Sequence, residues 1–234
     1  MSYTHTPLMF QKFWKICLIS LFTLIAWIAW DILIPRPYDI REFEPVEMGK
    51  LEAAMWKSYY EQKPLQLFGQ LTQTMRTQFK APFWKSVQLG YFATRAALTF
   101  QEGKERKEYL QALPYLECYY QGIQNLSFQS INIEKAARHE LEWWIVRREP
   151  HLHSPKEWKI WISEIAETLY QKDDRAFQLY AHLRVEAMLK RDALGKQITD
   201  QDWREIEEKL QESWMALYTA VHKPRVRTYI NYNL

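Results

Sequence analysis

Between Phe13 and Trp30 the chain reads FWKICLISLFTLIAWIAW, 18 residues with one charge, Lys15, near the start. No polar stripe recurs at helical spacing, and a helix that is apolar all round belongs in a large core or in a bilayer. At 1.5 Å per residue the segment reaches about 27 Å, close to the ~30 Å of a hydrocarbon core. We read residues 13–30 as a single transmembrane helix that meets the lipid bilayer directly. Trp14 at one end and Trp27 and Trp30 at the other suit the interfacial aromatic belts, and Lys15 can extend its stem so that its ammonium reaches the headgroups. A soluble core helix would show one apolar stripe. A cleaved signal peptide would show a small-x-small site, whereas Trp27 and Ile28 crowd the cut after Ala29. An in-plane helix would carry a strongly charged face.

Beyond the anchor, apolar positions recur with the helical period instead. Residues 31–46, with Pro35 and Pro37 and four acidic residues, are expected to form an extended acidic linker. Residues 47–222 then form a helical domain of about seven helices. The first starts near Val46 and is interrupted at Pro64, after which Leu65, Phe68, Leu71, Met75 and Phe79 continue a stripe. Phe83–Phe100 is the expected central helix, with Gly90, Ala93, Ala96 and Ala97 permitting close contacts. Tyr109–Tyr120 bends at Pro114, and Ile131–Arg148 ends before Pro150. Ser154, Pro155 and Glu157 combine a cap, a first-turn proline and a capping box. Asp173 suits the cap of Asp174–Leu194. Thr199 and Asp202 repeat that logic before a helix whose stripe is Trp203, Ile206, Leu210, Trp214, Leu217 and Val221. Strand alternation is not sustained and no 34-residue repeat appears, so the expectation is all-α: one transmembrane helix and an antiparallel multi-helix bundle, not a solenoid.

Charge changes this picture only locally. Basic and acidic residues nearly balance, 31 against 28, which leaves no dense positive track for nucleic acid. Lys12 and Lys15, with no acid among the first 30 residues, place residues 1–12 in the cytoplasm and the domain outside it, in the periplasm if the source is bacterial. Residues 223–234 form a basic aromatic tail with Lys223, Arg225 and Arg227. Cys17 lies in the anchor and Cys118 in the domain, so no intrachain disulfide is expected.

Candidate chemistry is sparse. No Glu-x-x-His, His-Glu-x-x-His, Cys-x-x-Cys, phosphate-binding glycine loop or nucleophile elbow occurs, so neither a metal, a cofactor nor a catalytic set is expected. His139 points away from the apolar face of its helix. The sharpest anomaly is Arg184, which falls on the stripe of Phe177, Ala181 and Met188, with Arg191 close beside it. A guanidinium there cannot shed its charge and requires a carboxylate, carbonyls or a bound anion. Glu140 and Glu134 are the candidate partners. These features suggest a membrane-anchored helical scaffold, a protein-binding subunit of a membrane-associated assembly. The alternative is an enzyme or a lipid- or acidic-ligand-handling protein, with an interhelical pocket around Arg184 lined by Phe83–Phe100.

Overall fold

A computed structural model describes residues 6–172 and 175–223. Within them the chain is all-α: α1 Thr6–Leu33, α2 Pro45–Tyr60, α3 Pro64–Thr77, α4 Phe83–Glu102, α5 Arg106–Tyr109, α6 Leu113–Leu126, α7 Ile133–Arg148, α8 Pro155–Tyr170, α9 Ala176–Leu194 and α10 Asp200–His222, with 3-10 turns at Leu110–Ala112 and Gly195–Gln197. Nine α-helices thus follow α1 where about seven were expected. Pro64 does not merely bend a helix but starts a new one, after a turn in which Gln62 takes φ of 56°. The single turn α5 is the other addition. The start of α8 carries the Ser154–Glu157 capping box and that of α10 the Thr199–Asp202 box. Asn132, which no pattern singled out, caps α7 by accepting from the Lys135 amide. Asp173 and residues 224–234 lie outside the described residues.

Eight of these helices close a circuit. Each of α2, α3, α4, α6, α7, α8, α9 and α10 lies against the next, and α10 lies against α2. Their connections are short, so the helices alternate in direction and the circuit has two ends. At the end where α1 joins, Glu44 N–H donates to Gln78 (3.0 Å), Tyr38 N–H donates to the Leu126 carbonyl (2.6 Å), and His222 meets Glu42 (3.2 Å). At the far end Lys57 pairs with Asp200 (2.8 Å) and Arg147 with Asp192 (2.8 Å). Closure between α2 and α10 depends on Gly49, where a Cβ would stand 2.5 Å from the Gln211 backbone nitrogen.

The segment between α1 and α2 is non-helical but not a free tether. Ile40 and Phe43 are buried in the core, and the Phe43 ring meets Trp214 and Tyr218 edge-on, with centroids 5.3 and 5.6 Å apart. Two apolar side chains thus draw the acidic stretch against the domain, and helix resumes at Pro45.

The first helix behaves differently from all the others. It is longer than residues 13–30, and Phe10–Leu33 is long and apolar enough to cross a membrane. Its described side chains before Trp27 are all exposed, Phe10 at 71% and Phe22 at 74%. Only its last turns touch the domain. Trp27 stacks on Phe83 (6.3 Å, 13°) and meets Trp84 edge-on (5.7 Å). The buried Asp31 carboxylate accepts from the Trp84 amide (2.6 Å), capping α4. In return the buried Lys85 ammonium donates to the Ile32 carbonyl (3.3 Å), which the end of α1 leaves without a helical partner. Each helix end is satisfied by a side chain of the other.

Candidate functional site

A strongly polar place inside the circuit is built around Arg184 at mid-length of α9. Its side chain is 14% exposed, and that of Glu52, on α2, is 5% exposed. The two form a two-pronged ion pair: Nη1 donates to Oε2 at 2.6 Å, and Nη2 contacts Oε1. Trp214 Nε1 on α10 donates to the same Oε2 (2.7 Å). Three rings line the guanidinium, Trp56, Trp143 and Tyr180, with centroids 5.8–5.9 Å from its central carbon. Burial opposes the charge, but the Glu52 carboxylate, with Tyr180 and Glu140 beyond it, more than offsets this, so Arg184 is held above its ordinary value.

The anomaly at Arg184 is therefore resolved by Glu52, not by either carboxylate expected from the sequence. Glu134 is exposed on α7 and pairs with Arg138 one turn on (3.0 Å). Glu140 does reach the interior but by another route: Tyr120 O–H donates to Oε2 (2.9 Å) and Trp144 Nε1 to Oε1 (3.0 Å). Loss of solvent pushes the Glu140 carboxyl up, against the opposing pull of the Arg184 charge and these hydrogen bonds. A carboxyl raised in the folded state favours folding most at pH below its unfolded value, and that contribution is lost as pH rises through the folded value. Glu140→Gln, whose amide can accept from Trp144 and face Tyr120, is accordingly expected to raise the melting temperature more at about pH 8 than at about pH 4, on either side of an ordinary carboxyl. Thermal unfolding followed by circular dichroism reads this; equal shifts at both pH values would refute it.

Arg191 lies a further two turns toward the far end. Its central carbon sits 3.2 Å from the Tyr60 ring centroid, and Nη1 is 3.3 Å from Asp192. Asp192 also holds Arg147, which accepts no deprotonation at this site and bonds the Tyr60 hydroxyl (2.6 Å). His139 packs edge-on against Trp161 (5.3 Å), and burial lowers its pKa. A shallow depression of about 370 Å³ lies between α9 and α10, lined by Glu186, Lys190, Glu205, Glu208, Lys209 and Glu212. It does not include Arg184. Its lysines are engaged, Lys190 with Glu205 and Lys209 with Glu186 (3.4 Å) and Glu212 (3.2 Å). Among the described residues no group of three His, Cys, Asp or Glu is placed to hold a metal ion.

Of the residues singled out from sequence, Arg184 and Glu140 share one interior, Arg191 belongs to the far end, and Glu134 to the surface. Glu52 and Trp214 were missed. Glu52 had a readable signal, since it lies one turn from Met48 and one turn from Trp56 on an apolar line of α2. No family model matches the chain, and neither a curated protein nor a solved structure matches it.

Proposed function

We propose that the chain is a membrane-anchored helical scaffold, a protein-binding subunit of a membrane-associated assembly. The observation that carries this reading is α1, an apolar helix that leaves the domain and keeps its side chains on the outside. An exposed apolar surface of this extent in water would be an aggregation liability. Arg184 supports a binding role over an enzymatic one, because its two terminal nitrogens are spent on Glu52 and three aromatic rings occupy its surroundings. The far end offers the chemistry of a protein contact. Exposed Arg148 lies over the buried rings of Phe100 (4.8 Å) and Tyr109 (5.7 Å) and reaches the Tyr59 hydroxyl (3.5 Å), and arginine is enriched among the residues that carry interface energy. In this reading residues 1–12 are cytoplasmic and the domain is extracytoplasmic, as Lys12 and Lys15 favour.

Alkaline extraction of membranes from cells making the full chain is expected to leave it in the pellet. Exposed Cys118 is expected to react with a membrane-impermeant maleimide once any outer barrier is opened, while Cys17 stays protected. Purification in mild detergent is expected to retain a stoichiometric protein that Arg148→Glu releases. Release of the chain by alkali would end the anchor reading, protection of Cys118 would reverse the orientation, and a partner unaffected by Arg148→Glu would move the interface elsewhere.

A further inference from the structure

The helix pair α3–α4 has a charge pattern unlike the rest of the domain. From Gln62 to Gln101 the chain contains no acidic residue and five basic ones, Lys63, Arg76, Lys80, Lys85 and Arg95. This pair is also the part of the domain fastened to α1. The turn joining the two helices, residues 78–82, lies at the anchor end. Just before it, Arg76 places its guanidinium 5.5 Å from the Phe83 ring centroid. Lys80 takes φ of 52°, a left-handed turn position where glycine is the ordinary choice, yet the chain keeps a cation there.

The junction sets the depth of this turn. Trp84 and Lys85 are bonded to Asp31 and Ile32, whereas Phe83 stacks on Trp27, nearer the middle of the apolar helix. Trp27 is six residues before Leu33, about 9 Å along the helix axis. A bilayer that covers the apolar surface of α1 as far as its Trp27–Trp30 belt must therefore also meet Phe83, which is 43% exposed. Around it Arg76 and Lys80 are exposed, Lys80 donating to the Thr77 carbonyl (2.7 Å), and Arg36, just beyond α1, is 45% exposed with one guanidinium nitrogen 3.4 Å from the Asp31 carboxylate.

We propose that the α3–α4 turn is a second membrane contact: Phe83 enters the interfacial layer beside Trp27, and Arg76, Lys80 and Arg36 meet anionic lipid headgroups. An aromatic ring at headgroup depth ringed by cations matches the aromatic preference of that layer and the attraction of lysine and arginine to anionic lipid in the leaflet they meet. The proposal rests on the anchor reading, since it takes the bilayer's position from α1. It adds that the domain lies down on the lipid at one defined corner instead of standing clear of it.

The test uses the full chain reconstituted in phosphatidylcholine vesicles, with or without a phosphatidylglycerol fraction. In a background with Cys17→Ser and Cys118→Ser, a fluorophore is attached through Phe83→Cys, Ile25→Cys or Leu152→Cys, and brominated lipids are used as quenchers. Ile25 reports the anchor, and Leu152, exposed at the far end, reports a position away from lipid. Quenching is expected at positions 25 and 83 but not at 152, with shallow bromines most effective at 83. Arg76→Glu with Lys80→Glu is expected to abolish the gain in quenching at 83 that phosphatidylglycerol produces, leaving position 25 unchanged. Quenching at 25 without quenching at 83 would overturn the second contact and leave the anchor standing. Absence of quenching at both would overturn both. Quenching at 83 that is equal in neutral and anionic vesicles would overturn the headgroup recognition.

Discussion

Glu52→Ala is expected to destabilise the domain by about 3–5 kcal/mol, because truncating one member of a buried ion pair leaves the other charge without compensation. Arg184 would lose both prongs of its pair, and Trp214 Nε1 would lose its acceptor. Glu140 acts on Arg184 through its charge, while its oxygens accept from Tyr120 and Trp144, so it is not placed to replace the two-pronged pair without moving. Arg184→Met combined with Glu52→Leu removes both charges and keeps apolar volume, and such replacements are often neutral or stabilising. The double variant is therefore expected to lose less than Glu52→Ala, about 1–3 kcal/mol, the cost of the Trp214 N–H left without its acceptor. Denaturant unfolding of the reconstituted chain distinguishes the cases. A loss below about 1 kcal/mol for Glu52→Ala, the scale of an exposed pair, would mean that water screens the site and the pair does not organise the core.

The second large effect concerns closure of the circuit. Gly49→Ala is expected to cost about 2–3 kcal/mol although alanine is the better helix former, because overpacking of this kind costs about 1–3 kcal/mol and here the obstacle is backbone. The new methyl would meet the Gln211 backbone nitrogen at 2.5 Å and its Cα at 2.6 Å. A rotamer change cannot relieve that; α2 and α10 must move apart. Gly69 in α3 provides the matched control, with nothing within 4 Å of an added Cβ. Gly69→Ala is expected to stabilise by about 0.5–1 kcal/mol through helix propensity alone. Melting temperatures that shift in opposite directions confirm the account. A shift of the same sign in both would show that the α2–α10 contact yields easily.

What could be read from the residues was whatever is decided within a few positions. The capping boxes at Ser154 and Thr199 involve partners three residues away, and both form. The apolar character of α1 is likewise local, and so is the misfit of Arg184 on its stripe. Its partner was not local: Glu52 is 132 positions earlier, and only the closing of the circuit, with α10 against both α2 and α9, brings the two side chains together. The charge-rich α7 drew attention to Glu134 and Glu140, whereas the better criterion was a second charge out of place on an apolar line. Met48, Glu52 and Trp56 satisfy it. Periodicity equally says nothing about which helix ends meet, so the pairing of Asp31 with the start of α4, across 53 positions, had no counterpart in the pattern. The stretch after α1 read as an extended linker because of its prolines and acids, yet Ile40 and Phe43 suffice to bind it down.

The mutual capping of α1 and α4 through Asp31 and Lys85 makes the anchor and the circuit share one rotational coordinate. On the proposed membrane-anchored reading, turning α1 about its own axis within the lipid would swing Arg148 and its aromatic neighbours around the membrane normal by the same angle. A neighbouring transmembrane helix that gripped only the lipid-facing side of α1 would thereby choose which flank of the far end confronts other proteins, without touching it.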